Sequence, residues 1–194
     1  MTAVTASHAA EAVTSNPPRH SAALRALHWT IAVLIFAAIA VGVYAIYMPR
    51  SPARVELMTI HKSIGVTVLA LVVVRILVRL AASAPAYLPP LDAFTRFAST
   101  LGHLALYALM LAMPISGYIH SSAGQHAFNW FGLFPVPMLV GDNPQIDHAT
   151  GLAHYVFAWT IGAVLTIHIL AALWHLIVKK DNVFARMWPS RSGA

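Results

Sequence analysis

The sequence of 194 residues predicts an all-α integral membrane protein, a four-transmembrane-helix bundle with both termini on the cytoplasmic side (N-in/C-in). Three observations carry that expectation. Hydrophobic residues make up 59% of the chain and charged residues only 9%, against roughly 45–50% and 25% in a soluble domain. A water-soluble globule of this length cannot bury so much apolar surface. The apolar residues fall into long uncharged runs, and Lys and Arg gather on one set of connections. Cysteine is absent, which excludes a disulfide framework, an iron–sulfur cluster, a thiolate zinc site and covalent c-type haem. The net charge of +6, from 12 Lys+Arg against 6 Asp+Glu, reads as a topology signal rather than a nucleic-acid surface. No nucleic-acid partner is expected.

Taken in order, residues 1–18 are small and polar, end in Asn16-Pro17-Pro18 and show no apolar period. They read as a disordered cytoplasmic tail, without the basic start and cleavage site of a signal peptide. The membrane domain then occupies 19–190. Its first span, about 24–48, contains the uncharged run Ala26–Met48 and stops at Met48-Pro49-Arg50, long enough to cross a hydrocarbon core of about 30 Å. The second, about 57–80, reaches spanning length only if Arg75 and Arg79 snorkel toward an interface. Pro85, Pro89 and Pro90 enforce a break after it. The third is about 98–120, with a kink expected at Pro114. A Gly/Pro/aromatic stretch follows, and the fourth span, about 149–178, closes at Lys179-Lys180-Asp181-Asn182.

Charge orients the bundle. Arg19 and Arg25, Arg75, Arg79 and Arg96, and Lys179, Lys180, Arg186 and Arg191 are nine of the twelve positive residues. They share one side, which the positive-inside rule assigns to the cytoplasm. Arg50, Arg54 and Lys62 are left on the other.

The eleven histidines are the anomaly in so charge-poor a chain. Ionisable residues within spans are costly and mark function. His154 and His168 are 14 residues apart, about 40° short of four full turns, so both rings share one helix face about 21 Å apart along the axis. Span one leaves the cytoplasm, so His28 lies at the inner level of His168. Span two returns, so His61 lies at the outer level of His154. Two facing pairs of neutral imidazoles, with no carboxylates in the spans, suit the axial positions of two b haems within the bundle, rather than a mononuclear metal wanting three or four ligands. Gly65, one turn from His61 on the same face, offers room for a porphyrin.

Other residues keep two readings. Arg75, on the His61 face near the inner leaflet, is either a haem propionate partner or a snorkelling anchor. His103 makes an interhelical hydrogen bond or serves a proton or quinone. His175, within about 20° of the His168 face, is a spare ligand or a hydrogen-bond partner for a quinone carbonyl. His8 and His20 fall in the tail, and His120, His126 and His148 flank the outer loop as solvated residues. Phe128–Phe134 is an aromatic belt, or a cap over the outer cofactor or a quinone access point. Arg50, Arg54 and Lys62 are solvated flanks, or they draw anions to the outer end.

The runs Arg25-Ala26-Leu27-His28-Trp29, Ile60-His61-Lys62-Ser63-Ile64-Gly65, Leu101-Gly102-His103, Met113-Pro114-Ile115-Ser116-Gly117 and Lys180-Asp181-Asn182…Arg186-Met187-Trp188-Pro189 together resemble the bacterial cytochrome b561 family, four-helix di-haem cytochromes of the inner membrane. The resemblance covers roughly residues 20–190. It implies the haem iron axial ligands His28, His61, His154 and His168, and an inner quinone site at His175. It also implies a superoxide:ubiquinone oxidoreductase, oxidising superoxide at the periplasmic face and reducing ubiquinone, with lipid, quinone and superoxide as partners. With both axial positions filled, outer-sphere electron transfer is the chemistry left. The alternatives are a cytochrome b subunit relaying electrons between quinone and a periplasmic redox protein, and a non-redox transporter or scaffold, which would be colourless.

Overall fold

The computed structural model describes residues 19–82 and 91–188. The tail expected over 1–18, the break at Pro85, Pro89 and Pro90, and Arg191 lie outside the described residues. Four long helices dominate: α1 (Ala22–Tyr47), α2 (Pro52–Ala81), α3 (Ala93–Ala123) and α4 (Pro144–Trp174). All four are long and apolar enough to cross a membrane, and the protein is a four-span membrane bundle.

Each helix starts on a side-chain cap. Ser21 Oγ accepts from Leu24 N–H, Ser51 Oγ from Arg54 N–H, Asp92 from Thr95 N–H, and Asn143 Oδ1 from Gln145 and Ile146 N–H. Such caps contribute about 1 kcal/mol each, and Pro52 and Pro144 sit at the first turns of their helices, where a missing N–H costs nothing. The caps explain why α2, α3 and α4 begin about five residues before the spans expected from hydropathy. Apolar runs measure the membrane, whereas caps in the aqueous flank decide where the helix starts. Helix α3 runs through Pro114 without a break.

Helix α1 packs on α2, α3 on α4, and α2 on α3. The buried cluster Ile31, Ile64, Val68 and Val72, with Leu27, Leu34, Tyr107 and Met110 against it, joins α1, α2 and α3. Helix α4 contributes one buried residue among those described, Ile161. Large apolar side chains such as Phe36, Leu80, Leu104 and Trp159 stay exposed, as suits helices whose outer faces meet lipid.

Between α3 and α4 the aromatic segment forms a two-stranded hairpin, β1 (Asn129–Trp130) against β2 (Phe134–Pro135). It is folded onto α2: Trp130 Nε1 donates to Thr67 Oγ1 at 3.1 Å and Phe131 N–H to Ser63 Oγ at 2.9 Å. After α4 a π-helical turn, His175–Lys179, ends at Lys180 in the left-handed region with φ 52°. The chain then returns to α1, where Trp29 Nε1 donates to the Met187 carbonyl at 2.8 Å and His20 N–H to the Arg186 carbonyl at 3.2 Å.

Candidate functional site

The bundle brings histidines from three helices together at two depths. At the inner level the rings of His28 on α1 and His168 on α4 have centroids 6.3 Å apart with planes at 70°. At the outer level His61 on α2 and His154 on α4 are 6.1 Å apart at 86°. Two imidazoles facing one metal ion from opposite sides, each with a nitrogen about 2 Å from it, have centroids about 6 Å apart. Both spacings fit. Among the described residues no group of three or more His, Cys, Asp or Glu is placed to hold a metal ion.

The outer rings are held by one device used twice. His61 Nδ1–H donates to the Ala38 carbonyl of α1 at 2.9 Å, and His154 Nδ1–H to the Met113 carbonyl of α3 at 3.0 Å. Four residues further along each accepting helix stands a glycine. A Cβ built on Gly42 would lie 2.8 Å from the His61 ring, and one on Gly117 would lie 2.7 Å from the His154 ring. The glycines let the rings close onto the neighbouring backbone. The Nδ1 bonds set the tautomer and leave Nε2 as the nitrogen available for coordination. Ser116 Oγ also bonds the Met113 carbonyl, at 2.8 Å. Gly65 has nothing within 4 Å of where its Cβ would stand, in keeping with the open space expected there.

The inner level is built differently. Among the described residues neither His28 nor His168 has a side-chain hydrogen bond. A third ring approaches instead, with His103 on α3 5.6 Å from His168. Among the described residues His103 makes no interhelical hydrogen bond; its Nδ1 donates to the Ser99 carbonyl one turn back on its own helix at 2.6 Å. That bond is local, and the approach to His168 follows from the packing of α3 on α4. Arg75 is 9% exposed and donates to the Leu24 carbonyl at 2.6 Å. Arg75 thus reaches across to the first turn of α1, one turn before His28.

His20 lies beside Arg186, Arg79 and Arg75. Burial first, and then these cations, push its pKa down to about 4. At the same end His175 Nδ1 meets Asp181 Oδ2 at 2.6 Å. Asp92 is held below the usual carboxylate range by hydrogen bonds from the Thr95 hydroxyl and amide.

At the outer end His120 stays partly exposed, with its Nδ1 2.7 Å from Asp147 Oδ1 and its ring beside Gly151. Arg54 and Lys62 donate to the carbonyls of Met48 and His126, at 3.1 and 3.0 Å, so both tie the outer connections while keeping their charge there. Gly42, Gly117, Asp181 and the Trp29–Met187 bond escaped the sequence reading. Gly117, Asp181, Trp29 and Met187 stand in the runs that carry the family resemblance, whereas Gly42 carried no signal.

Comparison with known proteins agrees with this architecture. The family profile described as "Prokaryotic cytochrome b561" matches residues 19–190. "Cytochrome b561 homolog 2" of Escherichia coli (strain K12) is 34% identical over 176 residues, covering 90% of this chain and 93% of that protein. "Probable superoxide oxidase CybB" of Yersinia pestis is 29% identical over 167 residues, covering 86% and 94%. "Cytochrome b561 homolog 1" of E. coli (strain K12) is 29% identical over 168 residues, covering 85% and 94%.

Proposed function

The chain belongs to the prokaryotic cytochrome b561 family, multi-pass electron-transfer proteins of the bacterial inner membrane that carry b-type haem, and from that premise we propose that it binds two haems and moves electrons from superoxide at the periplasmic face to ubiquinone at the cytoplasmic face. The observation that carries this reading is the two histidine pairs at two depths, with centroid spacings of 6.3 and 6.1 Å. His28 with His168 would hold the inner haem and His61 with His154 the outer one. When bound, each haem supplies a one-electron couple.

The protein's own residues do the rest. The Nδ1–H bonds of His61 and His154 to Ala38 and Met113 hold those rings in one tautomer and raise their basicity as ligands. Arg75, anchored on the Leu24 carbonyl, keeps further guanidinium donors for an inner haem propionate. Arg50, Arg54 and Lys62 place three positive charges at the outer end, where they attract superoxide over about a Debye length. His175 lines a cavity at the cytoplasmic end and offers a hydrogen bond to a quinone oxygen. The overall chemistry balances when two superoxide anions each lose one electron and leave as dioxygen. One ubiquinone then takes both electrons and two protons and leaves as quinol. The name of the Yersinia pestis relative, a probable superoxide oxidase, supports the choice of donor.

The test is the reduced-minus-oxidised absorption spectrum of the purified protein, with extracted haem counted against protein. Two b haems per chain are expected. Replacing either member of a pair with Ala should remove one haem and leave the other. A colourless protein from haem-replete cells would overturn the assignment in favour of a non-redox role. Quinol oxidation that requires a co-purifying periplasmic protein, with no superoxide consumption, would replace superoxide as the donor.

A further inference from the structure

A cavity of about 130 Å³ opens at the cytoplasmic end between the start of α3, the π-helical turn and the segment after it. Asp92, Thr95, His175, Lys179, Asp181 and Asn182 supply its polar lining. Its volume is close to the roughly 150 Å³ that accommodates a benzene ring. Two carboxylates face one lysine and one histidine, so the lining does not select an anion. The chemistry suits an uncharged ring bearing oxygen atoms that accept or donate hydrogen bonds.

Within this lining Asp92 is already occupied: Thr95 donates to it from its amide at 2.9 Å and from its hydroxyl at 2.6 Å. Asp181 divides its two oxygens. Oδ1 accepts from Val183 N–H at 3.0 Å, closing the local turn, and Oδ2 meets His175 Nδ1 at 2.6 Å. The π-helical turn makes this possible, because it ends on the left-handed Lys180 and returns Asp181 toward the ring six residues earlier. With Nδ1 engaged, Nε2 is the ring nitrogen left for a molecule in the cavity. It accepts from a hydroxyl when the ring carries one proton and donates to a carbonyl when it carries two.

Resting on the reading of His175 as the quinone contact, we propose that Asp181 is the positioning residue of that site: it holds the imidazole so that Nε2 meets the quinone head group in the cavity. The turn itself does not need the second carboxylate oxygen. Asp181→Ser keeps a short acceptor for the amide two residues on but cannot reach His175, and Asp181→Glu restores the reach.

The experiment uses the haem-loaded protein in nanodiscs and a short-chain ubiquinone analogue. It measures the analogue's Kd by calorimetry, the KM and kcat of quinone-dependent haem reoxidation, and haem content. Loss of one charge-assisted hydrogen bond corresponds to about ten- to hundredfold in affinity. Asp181→Ser and His175→Gln are therefore each expected to raise Kd and KM at least about tenfold, with two haems retained and kcat changed less. Asp181→Glu should recover most of the affinity. An effect in His175→Gln without one in Asp181→Ser overturns the role of Asp181 and leaves the quinone reading standing. Unchanged Kd and KM in both variants remove the quinone from this cavity, and the role of Asp181 goes with it.

Discussion

The two histidine levels share a helix, a ring spacing and a residue type, yet they are held by different means. At the outer level each ring is bonded through Nδ1 to a neighbouring backbone carbonyl and seated against a glycine. At the inner level no such bond exists among the described residues. His28 and His168 instead stand close to Arg75 and to a third imidazole, His103. The outer geometry is thus preorganised by the polypeptide, and the inner geometry is left to side-chain packing and charge. At the outer histidine level glycine is required where the ring is pressed into the backbone. An added Cβ at Gly42 or Gly117 would collide with an imidazole, whereas at Gly65, Gly102 and Gly162 it would meet nothing within 4 Å.

Removing haem should break the comparison most strongly. The apolar cluster joins α1, α2 and α3, and α4 meets α1 and α2 through its histidines, so bound haem is expected to act as the tie across that side. Hydrogen exchange on α4 should quicken in the haem-free protein by on the order of a hundredfold, as for a ligand present at about 100 times its Kd. Exchange in the α1–α2 pair should change far less. Uniform acceleration across all four helices would contradict the division.

Next in size are the glycine notches. Gly42→Val and Gly117→Val should each abolish the outer haem signal and leave the inner one intact, with an overpacking cost of about 1–3 kcal/mol. Retention of both haems in either variant would show that the seat yields. Gly65→Ala sharpens the point. The polypeptide alone leaves room there, so outer haem lost from a normally folded variant would place the porphyrin against α2.

Arg75→Gln addresses the inner level alone. Removing a cation destabilises the electron-rich state nearby, so the inner midpoint potential should fall by roughly 70 mV for a charge about 10 Å away at an effective dielectric of about 20. The outer potential should hold. Equal shifts at both levels, by redox titration, would mean the charge is not local to His28.

The smallest effect concerns His20. Its pKa is lowered from 6.5 to about 4 in the folded protein, so between those values the unfolded chain binds a proton that the folded chain does not. Its contribution to stability is therefore full above pH 6.5 and is lost as the pH falls toward 4. The thermal midpoint of His20→Gln should drop less than that of the parent between pH 7 and 5. Parallel curves would show that His20 is freely solvated.

Much of this was legible in the chain. The 59% apolar composition, the uncharged runs and the one-sided Lys and Arg determine a four-span bundle, because the membrane core requires each span to satisfy its own backbone hydrogen bonds. The 14-residue interval between His154 and His168 determines two levels on one face, because helical period and rise are constants. Three-dimensional packing decided the rest. Which carbonyl receives His61, which glycine admits it, whether His103 looks across to another helix or back along its own, and whether Arg75 turns inward or outward all depend on the rotation and separation of neighbouring helices. No local period encodes those quantities. Asp181 meets His175 because a π-helical turn and one left-handed residue fold the chain back by a few ångströms, and a spacing of six residues read as an ordinary helix would have sent the two apart.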